Sequence, residues 1–290
     1  MLIGCDFSSR PTRRKSIVIA NGAVDGDVLT LGGLQFLTSL DRFADWLSME
    51  RDWVGGFDFP FGLPRELVVD LGWPTDWLAC MRHYARLDRL QIRDCFSAYC
   101  AARPAGGKFA HRATDRWAGS SPSMKWVNPP VAYMLHAGVP PLIDAGVCLV
   151  GLHAGDPSDW NCQQRPRRIA LEAYPGLLAR EVLGRASYKS DDKAGQTVQR
   201  RDNRVRLIDA LEQGHTRLGL RLALTRAQRE HLIGDARADA LDAVLCLLQA
   251  AWGERIGWPD FGLPMPIDAL EGWIVTAVPE AAAGLSARLA

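Results

Sequence analysis

Five acidic residues close strand-like runs or open a helix-like run, and this pattern constrains the fold more than any other feature of the sequence. Asp6, Asp58 and Glu172 end the apolar runs MLIGCD, VGGFD and RIALE. Asp239 and Asp242 lie three residues apart where the apolar run DALDAVLCLLQAA begins. A carboxylate at the tip of a buried strand loses hydration and is repelled by any acid at the same edge. Divalent metal ions are the usual means of keeping such a cluster ionised, and the pattern therefore predicts a two-metal site.

Each of these acids also has a purely structural explanation. Asp6 precedes Ser8 and Ser9, and an aspartate after a strand commonly bonds to its own backbone in a turn. Glu172 has arginines nearby in the run RPRR at 165–168, any of which offers a salt bridge. The helix dipole favours a lone acid in a first turn, and Asp235 is an alternative member of the helical pair.

Composition is that of an ordinary folded enzyme. The chain has 290 residues, of which 48% are hydrophobic and 23% charged, enough for one large domain with an insertion. Its net charge is only +1, so the whole molecule does not produce the strong basic field typical of many nucleic-acid binders. Basic runs at 10–15, 165–168 and 200–206 are local patches able to contact phosphates, or they are solvated surface.

The cysteines and the N-terminus favour a cytoplasmic protein. Seven cysteines are scattered without a Cys-x-x-Cys pair or zinc spacing to the six histidines, which favours a reduced compartment. Cys5 is expected to be a packed strand residue rather than a nucleophile. No signal-like leader and no apolar run of membrane-spanning length is present, so we expect neither export nor membrane insertion.

Hydrophobic periodicity predicts an α/β fold with a large insertion. Residues 2–8, 15–21 and 27–35 are predicted to form three antiparallel strands, followed by a helix after Ser39 and a strand at 53–58. The strand RIALE, helices at about 203–214 and 225–233, and a last helix from about Ala236 continue this core. We therefore expect a mixed five-stranded sheet flanked by helices, formed by residues 1–62 and 163–275. Residues 63–162 are predicted to be a mostly helical inserted cap, and 276–290 a C-terminal tail.

Seven segments resemble the uncharacterised domain-of-unknown-function family 429, which is described as predicted nucleases with an RNase H-like fold. They extend over nearly the whole chain: IGCDFSSRPTRRK, GGFDFPFGLP, SPSMKWVNPP, LEAYPGLL, SYKSDDK, DALDAVLCLLQAA and EGWIV. The chain is more distantly similar to RuvC-type Holliday-junction resolvases, in which a lysine-containing loop precedes a last helix with Asp-Ala-x-Asp-Ala. Those resolvases place a glutamate where this chain has Asp58, so metal geometry and substrate do not transfer directly.

The resemblance implies hydrolysis of phosphodiester bonds by two Mg²⁺ or Mn²⁺ ions. Asp6 would bridge the ions, Asp58 and Asp242 would complete their coordination, and Asp239 or Glu172 would hold a metal-bound water.

Several further residues are candidates for contacts with the substrate. Lys189 and Lys193 would lie near the scissile phosphate, unless they pair with the adjacent aspartates of SYKSDDK. Ser8 and Ser9 would bind phosphate or form a turn. The loop at 109–128 alternates cations such as Lys125 with tryptophans, which suits a nucleic acid, DNA or RNA, or else forms a polar lid.

Three other functions compete with the nuclease. An ATP-using enzyme of the actin and sugar-kinase type would need glycine after the first-strand aspartate, where this chain has Phe7. A metal-dependent hydrolase of a small phosphoester or nucleotide accords with the weak net charge. A binding module without catalytic activity is the third alternative. The sequence does not indicate an oligomeric state.

Overall fold

The computed structural model describes residues 1–49 and 52–277, which contain seven strands and ten α-helices. The strands are β1 Leu2–Asp6, β2 Ile17–Asp25, β3 Val28–Leu37, β4 Trp53–Phe57, β5 Cys148–Leu149, β6 Arg168–Glu172 and β7 Arg221–Ala223. The helices are α1 Leu40–Leu47, α2 Arg65–Asp70, α3 Trp77–Ala85, α4 Arg89–Ala101, α5 Ala113–Ala118, α6 Val131–Asp144, α7 Pro175–Leu183, α8 Val198–Glu212, α9 Arg226–Gly234 and α10 Asp239–Ile256. Most of the predicted tail, 278–290, lies outside the described residues.

The strands form one mixed sheet in the order β5-β6-β4-β1-β2-β3-β7. β1, β2 and β3 are antiparallel neighbours, whereas β4 is parallel to both β1 and β6. The predicted α/β class and the helix-flanked mixed sheet are therefore confirmed. The predicted strand count of five is too low for the described residues, because β5 and β7 are two and three residues long and too short to show an alternating pattern.

Apolar cores cover both faces of the sheet. α7, α8, α9 and α10 contribute to the core on one face, and α1 shares the other core with helices α2, α3, α4 and α6. The segment predicted as an inserted cap thus supplies a layer of the core and also the edge strand β5. Among the described residues, no helix is both long enough and apolar enough to span a membrane.

Sequence signals account for the ends of several elements. Ser39 caps α1 by accepting a hydrogen bond from the N–H of Arg42, as predicted. The helical run at 75–103 is divided into α3 and α4, and Asp88 forms a capping box with Gln91 at the start of α4. The last helix begins at Asp239 rather than near Ala236, since Ala238 adopts a left-handed conformation with φ of 60°.

Candidate active site

Parallel strands bring three of the predicted acids to one edge of the sheet. Asp6 is the last residue of β1, Glu172 is the last residue of β6, and Asp58 directly follows β4. The register pairs Cys5 with Phe57, so β1 and β4 end together. The N–H of Asp58 continues this ladder by donating to the carbonyl oxygen of Cys5 at 2.9 Å. The carboxyl ends of β1, β4 and β6 therefore present their acids on the same side.

The first turn of α10 carries Asp239 and Asp242 to this edge because the helix lies directly on the central strands. A Cβ atom on Gly4 of β1 would lie 2.1 Å from a backbone oxygen of α10, and one on Gly56 of β4 would lie 2.4 Å from another. Only glycine allows so close an approach. Asp235, the alternative member of the helical pair, instead accepts N–H bonds from Arg237 and Ala240 at the start of the helix.

All five predicted acids line one cavity of about 630 Å³, the acid cavity. Its floor is the sheet edge with α10, and a wall comes from the segment 120–134, which contributes Ser120, Ser121, Val131 and Met134 among others. The predicted carboxylates and part of the predicted insertion therefore face the same enclosed space. A cavity of about 300–1,000 Å³ is typical for a small-molecule site.

Asp6 and Asp58 are the carboxylates of this cavity that have no hydrogen-bond or ion-pair partner among the described residues. Among residues 1–49 and 52–277, none donates a hydrogen bond to either side chain. Burial and then the charges of Asp242 and Asp58 raise the pKa of Asp6 well above its usual value. Burial raises the pKa of Asp58 to about 7, against the opposing effect of Lys189. Both groups thus resist ionisation in the absence of a further cation.

Asp242 is held by two neighbours that are adjacent in sequence. Tyr188 donates its hydroxyl proton to Asp242 Oδ1 at 2.5 Å, and the Lys189 ammonium donates to Oδ2. Burial opposes the charged form of Lys189, but the surrounding carboxylates, Asp242 foremost, raise its pKa well above its usual value. Lys189 therefore acts as the local cation of the cluster and pairs with Asp242 rather than with an aspartate of its own loop.

Glu172 belongs to a separate buried ion network. Its two carboxylate oxygens accept from Arg112 Nη2 at 2.6 Å and Nη1 at 2.8 Å, and Oε2 also accepts from the N–H of Phe61. Arg112 is 2% exposed and also binds Asp115, so the network joins α5 to the sheet edge. Burial raises the pKa of Glu172, and Arg112 opposes this shift. Because Arg112 and the N–H of Phe61 already bind its carboxylate oxygens, Glu172 is less available as a metal ligand than Asp6 or Asp58.

The salt bridge considered for Glu172 thus forms with a different arginine. The three arginines of the run RPRR pair elsewhere: Arg165 with Glu254, Arg167 with Asp52 and Arg168 with Asp159.

The predicted substrate-binding residues divide into two groups. Ser8, Ser9 and Lys189 line the acid cavity. Lys125 and Lys193 do not, since Lys125 lies in the turn before α6 and Lys193 begins an exposed 3₁₀ helix, Lys193–Gly195.

Two tryptophans of the insertion, Trp117 and Trp126, also lie outside the cavity lining. Trp117 is 58% exposed, and Trp126 packs against Phe109 with ring centroids 5.7 Å apart. Cys5 is fully buried, as expected for a packed strand residue.

Four residues of the cavity were missed by sequence reasoning: Lys15, Arg112, Tyr174 and Arg237. Lys15 pairs with Asp191 across the cavity mouth, and Arg237 lies 3.3 Å from Asp239. The basic run at 10–15 was a signal for Lys15. Arg112 was expected only as one of the cations of the loop at 109–128, and its pairing with Glu172 had no local signal because the two residues lie 60 positions apart in sequence.

The donor chemistry of the cluster fits a hard divalent cation, although the side chains are not preassembled around one. No group of three or more His, Cys, Asp or Glu among the described residues is arranged as a metal site. Carboxylate oxygens are nevertheless the ligands that Mg²⁺ and Mn²⁺ prefer, and Asp6 and Asp58 have no competing donors.

Comparisons with protein-family models, curated proteins and solved structures found no match to this chain. The site is therefore interpreted from its own residues.

Proposed function

We propose that this protein is a metal-dependent phosphodiesterase that cleaves nucleic acid. The observation that carries the proposal is the meeting of Asp6, Asp58 and Asp242 in one cavity, with the pKa values of Asp6 and Asp58 raised by burial. Buried carboxylates that lie close together resist ionisation, and two divalent cations would stabilise their charged forms. The sequence segments that resemble predicted nucleases imply the same chemistry.

Asp6, Asp58 and Asp242 would hold Mg²⁺ or Mn²⁺, with Asp239 beside them in the first turn of α10. When bound, such ions supply a nucleophilic hydroxide and stabilise the leaving oxygen. Lys189 is close enough to influence the pKa of both Asp6 and Asp58, so it is placed to contact a phosphate. The hydroxyls of Ser8 and Ser9, in the loop after β1, line the same cavity and supply neutral donors.

Glu172 has a positioning role in this proposal rather than a metal-binding one. Its bidentate contact with Arg112 fixes α5 and the following wall segment against the sheet edge. Because Arg112 also donates to the carbonyl oxygen of Glu271, three distant parts of the chain meet at one guanidinium.

The RNase H-like assignment is part of the proposal. Three antiparallel strands, a helix and a fourth strand parallel to the first are followed by a last helix on the central strands, and this order supports it. The division into a core of 1–62 and 163–275 with 63–162 inserted is proposed on the same grounds. All seven cysteines are free, which supports the cytoplasm as the proposed compartment.

A small phosphoester or nucleotide is the second candidate substrate. The favouring observation is the cavity itself, whose volume of about 630 Å³ and wall at 120–134 suit a small ligand. A small diester and a nucleic acid require the same chemistry at the acids, so they differ only in what lies beyond the scissile phosphate.

The test is incubation with Mg²⁺ or Mn²⁺ and a panel of labelled DNA and RNA that includes single strands, duplexes, hairpins and branched molecules. Bis(p-nitrophenyl) phosphate serves as the small diester. We expect nucleic-acid cleavage that is absent from Asp6→Asn and Asp242→Asn. Hydrolysis of the small diester alone would favour the second candidate, and cleavage that persists in both variants would refute the site.

A further inference from the structure

A second cavity of about 520 Å³ adjoins the acid cavity, and Arg237 and Asp239 line both. It lies between the start of β2, the end of β3 and the end of α9. Arg13, Phe36 and His231 are among its lining residues. The two cavities therefore meet at Arg237 and Asp239, and together they are called the groove, with the acids at one end.

The loop between β1 and β2 borders both cavities. Ser8, Ser9 and Lys15 of this loop line the acid cavity, whereas Arg13 and Ser16 line the second cavity. The basic run at 10–15 therefore lies beside the groove. The loop therefore supplies hydroxyl and cationic groups at intervals, as a phosphate backbone requires.

An exposed aromatic ring lies in the second cavity. Phe36, near the end of β3, is 50% exposed, and its ring meets His231 edge-on with centroids 6.3 Å apart. The interplanar angle of 77° makes this an edge contact between the two rings rather than a face-to-face stack. A ring exposed to this extent beside cations is the type of platform on which unpaired bases stack.

Among the described residues, the two carboxylates that line this cavity have partners, and of its two arginines only Arg13 forms no ion pair. Asp235 accepts two backbone N–H bonds at 3.1 and 3.2 Å, and Asp239 lies 3.3 Å from Arg237. Within residues 1–49 and 52–277, no carboxylate forms an ion pair with the exposed Arg13. Arg13 is therefore a cation without an internal counterion.

We propose that the second cavity binds an unpaired nucleotide of a single-stranded nucleic acid whose scissile phosphate lies at the acids. Phe36 stacks on the base, and Arg13 contacts a flanking phosphate. This inference rests on the proposed phosphodiesterase function and selects the polymer over the small diester, because only an extended ligand occupies both cavities. A base-paired nucleotide does not present its face to Phe36, so the strand must be unpaired there.

The experiment is fluorescence anisotropy with a labelled single strand of about 12 nucleotides, within the range of single-strand site sizes. It is done in EDTA at low salt, so that hydrolysis plays no part. Phe36→Ala should weaken binding by about 5- to 150-fold, the range for losing one base stack, and Phe36→Trp should retain binding. Arg13→Ala should reduce the slope of log affinity against log salt by about 0.7, corresponding to one lost phosphate contact.

Two further variants separate this groove from other surfaces. Arg226→Ala removes a cation whose side chain is 93% exposed on α9 and which lines neither cavity, so binding should be unchanged. Trp117→Ala removes the exposed tryptophan of the insertion. If Trp117→Ala weakens binding and Phe36→Ala does not, the strand lies over the insertion and the inference is wrong.

The outcome for this groove is independent of the outcome for catalysis. Oligonucleotide binding that depends on Phe36 upholds the inference even if no substrate is cleaved. Hydrolysis of the small diester, together with oligonucleotide binding that is absent or insensitive to Phe36→Ala, would overturn it while leaving the phosphodiesterase function in place.

Discussion

Replacing Asp58 with asparagine should stabilise the metal-free protein at neutral and alkaline pH. Burial raises the pKa of Asp58 from 3.8 to about 7, so the folded chain holds a proton that the unfolded chain has lost between these values. The contribution of Asp58 to the unfolding free energy therefore falls as pH rises from about 4 to about 7 and is level above that. An asparagine side chain does not ionise, so the Asp58→Asn variant lacks this fall.

The size of the effect follows from the shift. The pKa of Asp58 rises from 3.8 to about 7, and each pKa unit corresponds to about 1.36 kcal/mol. The gain in unfolding free energy at pH 8 is therefore at most about 4 kcal/mol. Partial exposure of Asp58 to solvent lowers the realised value below this limit. The substitution breaks no hydrogen bond to the carboxylate among the described residues, and it also relieves the repulsion that helps to raise the pKa of Asp6.

The assay is urea unfolding of both proteins in EDTA at several values between about pH 5 and pH 9, across the window in which Asp58 titrates. The same substitution at the exposed Asp45 of α1 is the control and should leave the pH profile of the wild type unchanged. If Asp58→Asn is no more stable than the wild type at about pH 8, or keeps the same pH slope, Asp58 is not an electrostatically strained group.

Three further substitutions test the structure around the site. Gly4→Ala should lower the unfolding free energy in urea by about 3 kcal/mol or more, because its Cβ would lie 2.1 Å from the backbone of α10, whereas Gly107→Ala, whose Cβ would meet no atom nearer than 3.9 Å, should be neutral. Arg112→Met should lower it by about 3–5 kcal/mol, since Glu172 is left buried and unpaired; an unchanged unfolding midpoint would contradict this. Lys189→Met should lower the melting temperature in EDTA yet enlarge the rise that Mn²⁺ produces, because the ammonium and the metal compete for Asp242; a smaller rise would refute that competition.

The carboxylate cluster was predictable because each acid interrupts or ends an apolar run. Asp6 and Asp58 lie where buried strands stop, and parallel strands end at a common edge, so their proximity follows from order in the sequence. Asp239 and Asp242 are three residues apart on a helix and must share a face. Long periodic segments also gave the α/β class, as in β2 and α10.

Features that depend on contacts between distant segments were not predictable. Arg112 reaches Glu172 from α5, and no local pattern marks that pairing. β5 is a strand only because β6 lies beside it, since two residues carry no periodicity of their own. Lys193 and Lys189 belong to the same loop, but only the turn geometry decides that Lys189 meets Asp242 while Lys193 faces solvent.

The claim that the acids form a metal site is tested most directly by Mn²⁺-dependent stabilisation of the wild type and Asp6→Asn. A ligand that binds only the folded state raises its stability by about 2.7 kcal/mol at one hundred times the dissociation constant. We predict that Mn²⁺ raises the melting temperature of the wild type above that in NaCl of equal ionic strength, and that Asp6→Asn, although folded, shows no such rise. An equal rise in both proteins, or none in the wild type, would contradict the metal site.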